Sequence, residues 1–251
     1  MSILDTLVDA TAALFRQLFG QPGAPAPASD VPSAPPADPA RADHETLPAP
    51  PDATPAVPEA PAGAAPTGWL SAGWVLTSDE IQTIMPNCSA SRLLSYYPYL
   101  LSAMAEFSVT SKLRAAAFLA QGAHESGELR YMEEIASGAA YEGRADLGNT
   151  EPGDGVRYKG RGMFQLTGRA NYRRCGAALG LDLEGDPAQA ATPQVGFRIA
   201  GWYWTTHGCN ELADGGTEAA FIVITRRING GLTGLASREA YYARAKEVLG
   251  V

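Results

Sequence analysis

Cysteine and histidine are scarce in this chain of 251 residues, with three of each. Cys88, Cys175 and Cys209 form no C-x-x-C pair, and an odd number cannot all pair within one chain. That argues against a disulfide framework and for reduced thiols. The histidines, His44, His124 and His207, lie far apart in sequence. A zinc helix of the H-E-x-x-H type is missing: after His124-Glu125 the fifth position is Glu128, so the spacing supports no metal site and no cofactor is expected. The stretch "YKGRGMFQLTG" is glycine-rich but lacks the G-K-[ST] ending of a phosphate loop, and Lys159 precedes the glycines. No apolar run reaches the roughly 20 residues that span a bilayer. The opening "MSILDTLVDATAALFRQLFG" carries Asp5 and Asp9 where a secretory signal needs a basic start and an uncharged core. Synthesis in the cytoplasm without a signal peptide is therefore expected.

Charge is also lopsided. The formal net charge is -8. Residues 1–66 hold eight acids and two bases, and residues 67–251 hold nineteen acids and seventeen bases. The larger part thus lacks the positive bias of a nucleic-acid binder. Its basic residues gather at Arg157, Lys159, Arg161, Arg169, Arg173 and Arg174. Both a solvated face and a contact for a polar or anionic polymer fit that cluster.

Three regions follow from pattern. Within residues 1–19, Leu4, Leu7, Val8, Leu14, Phe15 and Leu18 recur at helical spacing from position 3 onward, with Asp5, Asp9, Arg16 and Gln17 off the stripe. This amphipathic helix suits docking to another protein or to a second copy. A membrane surface fits less well, because the polar face lacks lysine. Residues 20–66 hold fourteen of the nineteen prolines. Such a Pro/Ala-rich segment buries too little surface to offset its ordering entropy and reads as a disordered tether. Residues 67–251 have the composition of a globular domain. Helical patterns occur in "TSDEIQTIM", "SASRLLSYYPYLLSAMAEF", "TSKLRAAAFLAQGAHE", "GRANYRRCGAALG", "TPQVGFRIAGWYWTTHG", "GGTEAAFIVITRRING" and "LASREAYYARAKEVLG". Strand-like alternation is scarce, so the domain is predicted to be mainly α, with a loop-rich or hairpin insert across the glycine-rich residues 138–168.

What is abundant is local: "HESGELRYMEE", residues 124–134, packs four glutamates into eleven positions. Hydrolysis of a glycosidic bond needs one protonated carboxyl and one ionised carboxylate. Glu125 ends a helix whose Ala116, Leu119, Ala120 and Ala123 form an apolar face, and partial burial there favours the protonated form that a general acid needs. Glu134 lies nine residues on. In an unbroken helix that is a turn of roughly 900° and a rise of about 13.5 Å, which separates the two side chains. Ser126-Gly127 provides a stop, after which "LRYMEE" can fold back. A carboxyl separation of about 6.5–9.5 Å then fits an inverting mechanism. In this reading Glu128 and Glu133 are exposed charges or partners of Arg130.

Taken together, "AHESGELRYMEE", "YEGRADLGNTEPGDGVRYKGRGMFQLTGRANY", "WYWTTHGCNELAD" and "TRRINGGLTGLASREAYYARAKEVLG" resemble glycoside hydrolase family 19, with the flavour of bacterial and phage endolysin-like members. The resemblance runs from about residue 80 to the end of the chain. It implies a two-lobed, lysozyme-like helical fold, with a sugar cleft between the lobes, and inverting hydrolysis of β-1,4 links in chitin or peptidoglycan. It implies Glu125 as general acid and Glu134 as base, with Glu133 and Glu142 as rivals for the base. Thr167, in the block Gly160 to Thr167, is implied to hold the catalytic water. Gln165 and Asn171 are implied to bond sugar groups, with turn formation and capping as the alternative. Tyr172 is cleft wall or core. Asn229 resembles a cleft residue, Gly230-Gly231 would allow close backbone approach to a ligand, and Arg238 resembles an arginine that orients a glutamate across the cleft. Trp202, Tyr203 and Trp204 look like a stacking run but fit a helical core better.

The function expected from this resemblance is an endolysin-type muramidase acting on peptidoglycan. It would reach the wall after release through a membrane lesion, or as part of a phage-like particle. A chitinase, a lytic transglycosylase and a non-catalytic wall-binding protein are the alternatives. A chain lacking residues 1–66 is expected to keep its turnover on purified walls and to change its localisation or assembly. A large loss of activity on soluble glycan fragments would contradict the tether reading.

Overall fold

The computed structural model describes residues 73–251; the predicted helix at 3–19 and the Pro/Ala-rich segment at 20–66 lie outside them. The described residues hold α1 (Ser78–Ile84), α2 (Ala90–Glu106), α3 (Lys112–Ser126), α4 (Asp154–Arg157), α5 (Arg169–Leu179), α6 (Pro193–Thr206), α7 (Cys209–Asp214), α8 (Glu218–Asn229) and α9 (Leu235–Leu249), with three short 3-10 turns between them. The only β pairing among them is a pair of isolated bridges, Glu133 with Arg161 and Arg161 with Leu166. The mainly helical prediction with a hairpin-like insert therefore matches the structure, and none of these helices is long and apolar enough to cross a membrane.

Local sequence sets the helix ends. Thr77 accepts from the Glu80 N–H at 3.2 Å and Glu80 accepts from the Thr77 N–H at 2.7 Å, a reciprocal capping box that starts α1. Ser89, Ser111, Thr192 and Thr217 cap α2, α3, α6 and α8 by the same side-chain acceptance. Pro193 occupies the first turn of α6, where its missing N–H costs nothing. The helix over "CNELAD" is too short to show a period and was not foreseen. It forms because Gly208, at φ 58, breaks α6 and lets the chain start again as α7.

α3 is the central helix. Ala115 through Ala120 have no exposed surface, so this stretch is buried all round rather than along one stripe. Its small residues let neighbours come close: a Cβ on Gly122 would sit 2.7 Å from the Met163 sulfur. Its most extensive packing is against α9, with α7 and α8 beside it, while α2 packs on α6. Phe118 is fixed between Phe164 and Trp204, with ring centroids at 5.5 and 5.3 Å.

The buried apolar side chains form two clusters. The larger joins α1, α2, α3, α8 and α9 through residues such as Ile81, Leu100, Phe118, Ile228 and Leu249. The smaller gathers Tyr158, Leu166, Tyr172, Leu179, Val195, Ile199 and Trp202. α6 serves both, giving Phe197, Ala200 and Trp204 to the first and Val195, Ile199 and Trp202 to the second. Arg198, on the same helix, clamps Glu106 of α2 with hydrogen bonds of 2.8 and 2.9 Å.

The turn after α3 has unusual backbone. Gly127, Glu128 and Leu129 are consecutive residues in the left-handed region, at φ 57, 59 and 64. For the two non-glycine residues that conformation costs about 1–2 kcal/mol each. The turn offsets this with hydrogen bonds from Glu128 N–H to Ala123 O, from Leu129 N–H to Ser126 Oγ and from Tyr131 N–H to Ser126 O, each 2.8 Å, and with complete burial of Leu129. Gly127→Ala adds a third such residue, and its Cβ would lie 3.0 Å from the Tyr131 ring. A loss of about 1–2 kcal/mol is expected, read as a lower urea midpoint with an unchanged slope.

Candidate active site

Glu125 is the penultimate residue of α3 and is 2% exposed. The helix-end burial expected from the sequence is present, and a guanidinium comes with it. Arg238 of α9, 1% exposed, donates from Nη2 to Glu125 Oε1 at 2.5 Å. Burial disfavours the charged carboxylate and the guanidinium favours it, so the two influences oppose each other. Arg238 is itself held by Gln121 Oε1 at 2.6 Å and by the Thr233 carbonyl at 3.2 Å. Gln121 in turn donates to Thr225 Oγ1 at 2.8 Å, so the chain of buried polar groups is satisfied. The glutamate that Arg238 orients is thus the helix-ending one.

The left-handed turn carries the chain from Glu125 into an extended stretch beside residues 160–162. Gly162 N–H donates to Met132 O and Glu134 N–H to Gly160 O, both at 2.9 Å. The Glu134 carboxylate faces two donors, Gly160 N–H at 3.0 Å on Oε2 and Tyr141 OH at 3.3 Å on Oε1. Gly160 has to be glycine for this approach, because a Cβ there would lie 2.8 Å from Gln165 Oε1 and 3.2 Å from Glu134 Oε2. Lys159 Nζ binds the Glu134 carbonyl at 3.1 Å. Glu125 is therefore anchored on the helices of the larger core. Glu134 is anchored on the segment that leads into the smaller one.

The other acids sort by their partners. Glu133 has 45% of its side chain exposed and pairs with Arg161 at 3.0 Å and Lys159 at 3.3 Å. Glu142 is exposed and accepts from Gly153 and Gly155 N–H at 2.6 and 2.8 Å, tying down the turn that opens α4. Of the three rivals for the base, Glu134 is the buried one, at 8% exposure. Glu128 corrects the sequence reading. It is 3% exposed, and it accepts from the Asn87 backbone N–H, from Asn87 Nδ2 at 2.9 Å and from Tyr241 OH at 2.6 Å. It joins the start of α2 to α9 and is neither an exposed charge nor a partner of Arg130. Burial, with the neighbouring Glu128 carboxylate second, pushes the Tyr241 hydroxyl well above its usual range. Arg130 instead lies over the Tyr131 ring, 5.6 Å from its centroid.

The block that ends in Thr167 makes turn-forming bonds. Gln165 sits at φ 54 and spends its amide nitrogen on Gly162 O at 2.9 Å and Tyr131 O at 3.2 Å. Thr167 Oγ1 donates to Gln165 O at 2.9 Å, and Asn171 Nδ2 donates to Thr167 O at 2.8 Å. All three are half-buried. Tyr172 is fully buried: its hydroxyl donates to Lys159 O at 2.7 Å and accepts from Arg161 at 3.1 Å. It belongs to the smaller core and offers no surface to a sugar, which removes it from the expected substrate contacts. Asn229 ends α8 at 4% exposure, with its Oδ1 accepting from Thr233 N–H at 3.1 Å. It shapes the loop whose Thr233 carbonyl holds Arg238. The core reading of the aromatic run holds for Trp202 and Trp204, which are buried, while Tyr203 is half-buried with its hydroxyl on Arg227 O.

Most of the basic cluster is engaged by partners within the chain, Arg157 and Arg173 at the surface. Arg169 pairs with Asp154 at 2.5 Å, Arg173 with Glu184 at 2.6 Å, and Arg157 donates to the Gly185 carbonyl at 2.9 Å. Arg174 lies over Trp202. Burial pushes the Cys209 thiol up to about 12 and raises Cys175 further. All three cysteines are free and buried, and thiols held protonated in this way are poor nucleophiles. His124 Nδ1 meets Ser237 Oγ at 3.1 Å, and its ring fills the space over Gly234. Sequence reasoning missed Gln121 and Thr225. Both sit on helical faces that read as core, and the one available signal was that they are polar there.

Comparison with known proteins places this geometry. The family model for glycoside hydrolase family 19, described as chitinase class I, matches residues 87–214, half of the chain. The chain belongs to glycoside hydrolase family 19. The match covers Glu125, Glu134 and Thr167 but stops before Asn229 and Arg238. An endochitinase of Arabidopsis thaliana is 42% identical over 122 residues, which is 48% of this chain and 41% of that one. A glycosyl hydrolase family 19 domain-containing protein of Haemophilus influenzae is 32% identical over 163 residues, 53% of this chain and 78% of its own. The chain spans about half the length of the Arabidopsis family 19 endochitinases that it matches. Among solved structures, a bacterial family 19 chitinase superposes with a TM-score of 0.57 at 30% identity, covering 71% of this chain and 96% of that one. Chitinase C of Streptomyces griseus gives 0.56 at 28% identity, covering 71% and 78%.

Burial of Tyr172 leads to a specific expectation. Tyr172→Phe removes hydrogen bonds to Lys159 and Arg161 and should cost about 1 kcal/mol of stability, with KM for any glycan unchanged. Urea unfolding and a saturation curve check it, and a rise in KM would restore Tyr172 to the cleft wall.

Proposed function

We propose that this family 19 chain hydrolyses β-1,4 links of an amino-sugar polymer by an inverting mechanism, with Glu125 as general acid and Glu134 as general base. The observation that carries the reading is the contrast between the two carboxyls. Glu125 is sealed at a helix end against one guanidinium. Glu134, nine residues on and beyond the left-handed turn, faces an N–H and an O–H. Environments that different are what divide an acid from a base.

In the reaction, protonated Glu125 gives its proton to the glycosidic oxygen as the bond from that oxygen to the sugar's anomeric carbon breaks. Glu134 takes a proton from water as that water attacks the anomeric carbon from the opposite face. One water is consumed per bond. Glu125 ends ionised and Glu134 protonated, and proton exchange with solvent restores both. Arg238 stabilises the carboxylate that Glu125 becomes. Thr167 has committed its hydroxyl hydrogen to Gln165 O, which leaves its oxygen to accept a hydrogen bond from the attacking water.

The polymer we favour is peptidoglycan, which makes the protein a muramidase that acts at the cell wall. The support is the resemblance of the ordered motif blocks to endolysin-like members. Chitin is the second reading, favoured by relatives that are themselves chitinases. Purified peptidoglycan and chitin oligomers assayed side by side, with the new reducing-end sugar identified, separate the two. Glu125→Gln is expected to lower turnover by about 10²–10⁴-fold while leaving the fold intact. A folded Glu125→Gln variant with full activity would defeat the assignment. Products ending in 1,6-anhydro sugar would replace hydrolysis with the lytic transglycosylase alternative, and a first-formed anomer of retained configuration would exclude inversion.

A further inference from the structure

Arg238 stands between two acceptors. Nη2 serves Glu125 at 2.5 Å and Nη1 serves Gln121 at 2.6 Å, while Nε is tied to the Thr233 carbonyl. Gln121 and Glu125 are one helical turn apart on α3, so both reach the same guanidinium from one face. Gln121 has no exposed surface. Arg238 has only donors to offer, so the amide oxygen faces it, and the Gln121 N–H goes to the Thr225 hydroxyl, which is also fully buried. A cation held by two oxygens divides its attraction between them. The pull on Glu125 therefore depends on what position 121 offers.

We propose that Gln121 is a positioning residue for the reaction: as a neutral acceptor on the second arm of Arg238, it sets how strongly Arg238 holds the Glu125 carboxylate and so the pH at which Glu125 keeps its proton. The inference rests on Glu125 being the general acid. Glutamine suits the role where other side chains do not. A carboxylate at 121 would compete for the cation, and an apolar side chain would leave Nη1 without an acceptor and turn more of the guanidinium toward Glu125.

Other charged groups on the packed helices are engaged elsewhere. On α9, Tyr241 binds Glu128, Arg244 binds the Ile84 carbonyl, Lys246 lies over Tyr242, and Glu239 and Glu247 lie at or near the surface. On α7, Asp214 pairs with Arg114 at the far end of α3, Glu211 is exposed, and Cys209 holds its proton. On α8, Arg227 reaches the His207 carbonyl, and Glu218 and Arg226 are exposed. On α3 itself His124 meets Ser237.

The test uses the full chain and two variants with opposite expectations. Carboxyl carbons of glutamate are labelled, the Glu125 signal is assigned by its loss in Glu125→Gln, and its titration is followed by NMR. In parallel, kcat/KM against pH is measured on chitin hexamer and on purified peptidoglycan. With Gln121→Glu the Glu125 midpoint should rise by about one pH unit, and the basic limb of the rate profile, where the acid loses its proton, should move up with it. With the near-isosteric Gln121→Met the midpoint and that limb should both move down. A merely structural role predicts lower activity at every pH with no movement of either. Unmoved midpoints in a folded variant overturn the proposal, and if one variant does not fold, the other decides. A wild-type chain inert on both polymers overturns the hydrolase reading and leaves the Gln121 coupling to the titration alone.

Discussion

The ion pair between Glu125 and Arg238 joins residues 113 positions apart, with both side chains almost wholly removed from water. Taking two charges out of water costs several kcal/mol each, and mutual attraction recovers this only when the geometry is good and the remaining donors and acceptors are filled. Much of the fold serves those conditions. Small residues along α3 let α9 lie close. Gly234, at φ 70 and without a side chain, admits the His124 ring where α9 begins, and Ser237 holds that ring. Asn229 shapes the loop whose Thr233 carbonyl takes the Arg238 Nε–H. The histidine that precedes Glu125 in sequence thus positions the helix that supplies the partner of Glu125.

The second carboxylate depends on a different constraint. A helix running straight on from Glu125 would put Glu134 about 13.5 Å further along its axis, and the left-handed residues 127–129 end that helix. The strain sits where burial of Leu129 and Glu128 over-determines the turn. Glu128 matters here by its own bonds. Its carboxylate reaches back to Asn87 and Tyr241, so a left-handed glutamate is pinned from two elements. Beyond the turn, a few bridge-type hydrogen bonds to residues 160–162 are enough to set Glu134 against Gly160.

Much of this was legible in the sequence. The helices from α1 to α9 show in the periodicity and caps, except α4 and α7, which are too short to display a period. The helix stop at Ser126-Gly127 was readable because glycine there has a backbone reason to exist. The inward face of α9 was not readable from hydrophobicity, because its buried positions are Arg238, Tyr242, Ala245 and Leu249. The spacing is that of a core stripe, but the stripe begins with an arginine. Glu128 failed for the same reason: an acid among acids looks solvated until the donors that hold it come in from residues 87 and 241. Tyr172 was ambiguous because a tyrosine offers both a ring for a core and a hydroxyl for a surface, and only its partners decide which is used.

The two carboxyls stand on different bodies of packing. Glu125 belongs to α3 and α9 in the larger core, and Glu134 hangs from the segment that feeds Tyr158, Leu166 and Tyr172 in the smaller. Their separation is thus set by how α6 and the turn after α3 tie the two cores together, more than by any contact between the glutamates. Close-packed cores resist small displacements. Each carboxyl is therefore held by its own body of packing, Glu125 by Arg238 and Glu134 by Gly160 and Tyr141. The same arrangement makes the left-handed turn the shortest covalent link between the two groups. Its two strained residues, Glu128 and Leu129, set the direction in which the chain leaves α3, and Ser126, bonded to Gly122 O at 2.6 Å and to Leu129 N–H at 2.8 Å, holds that link to the end of α3.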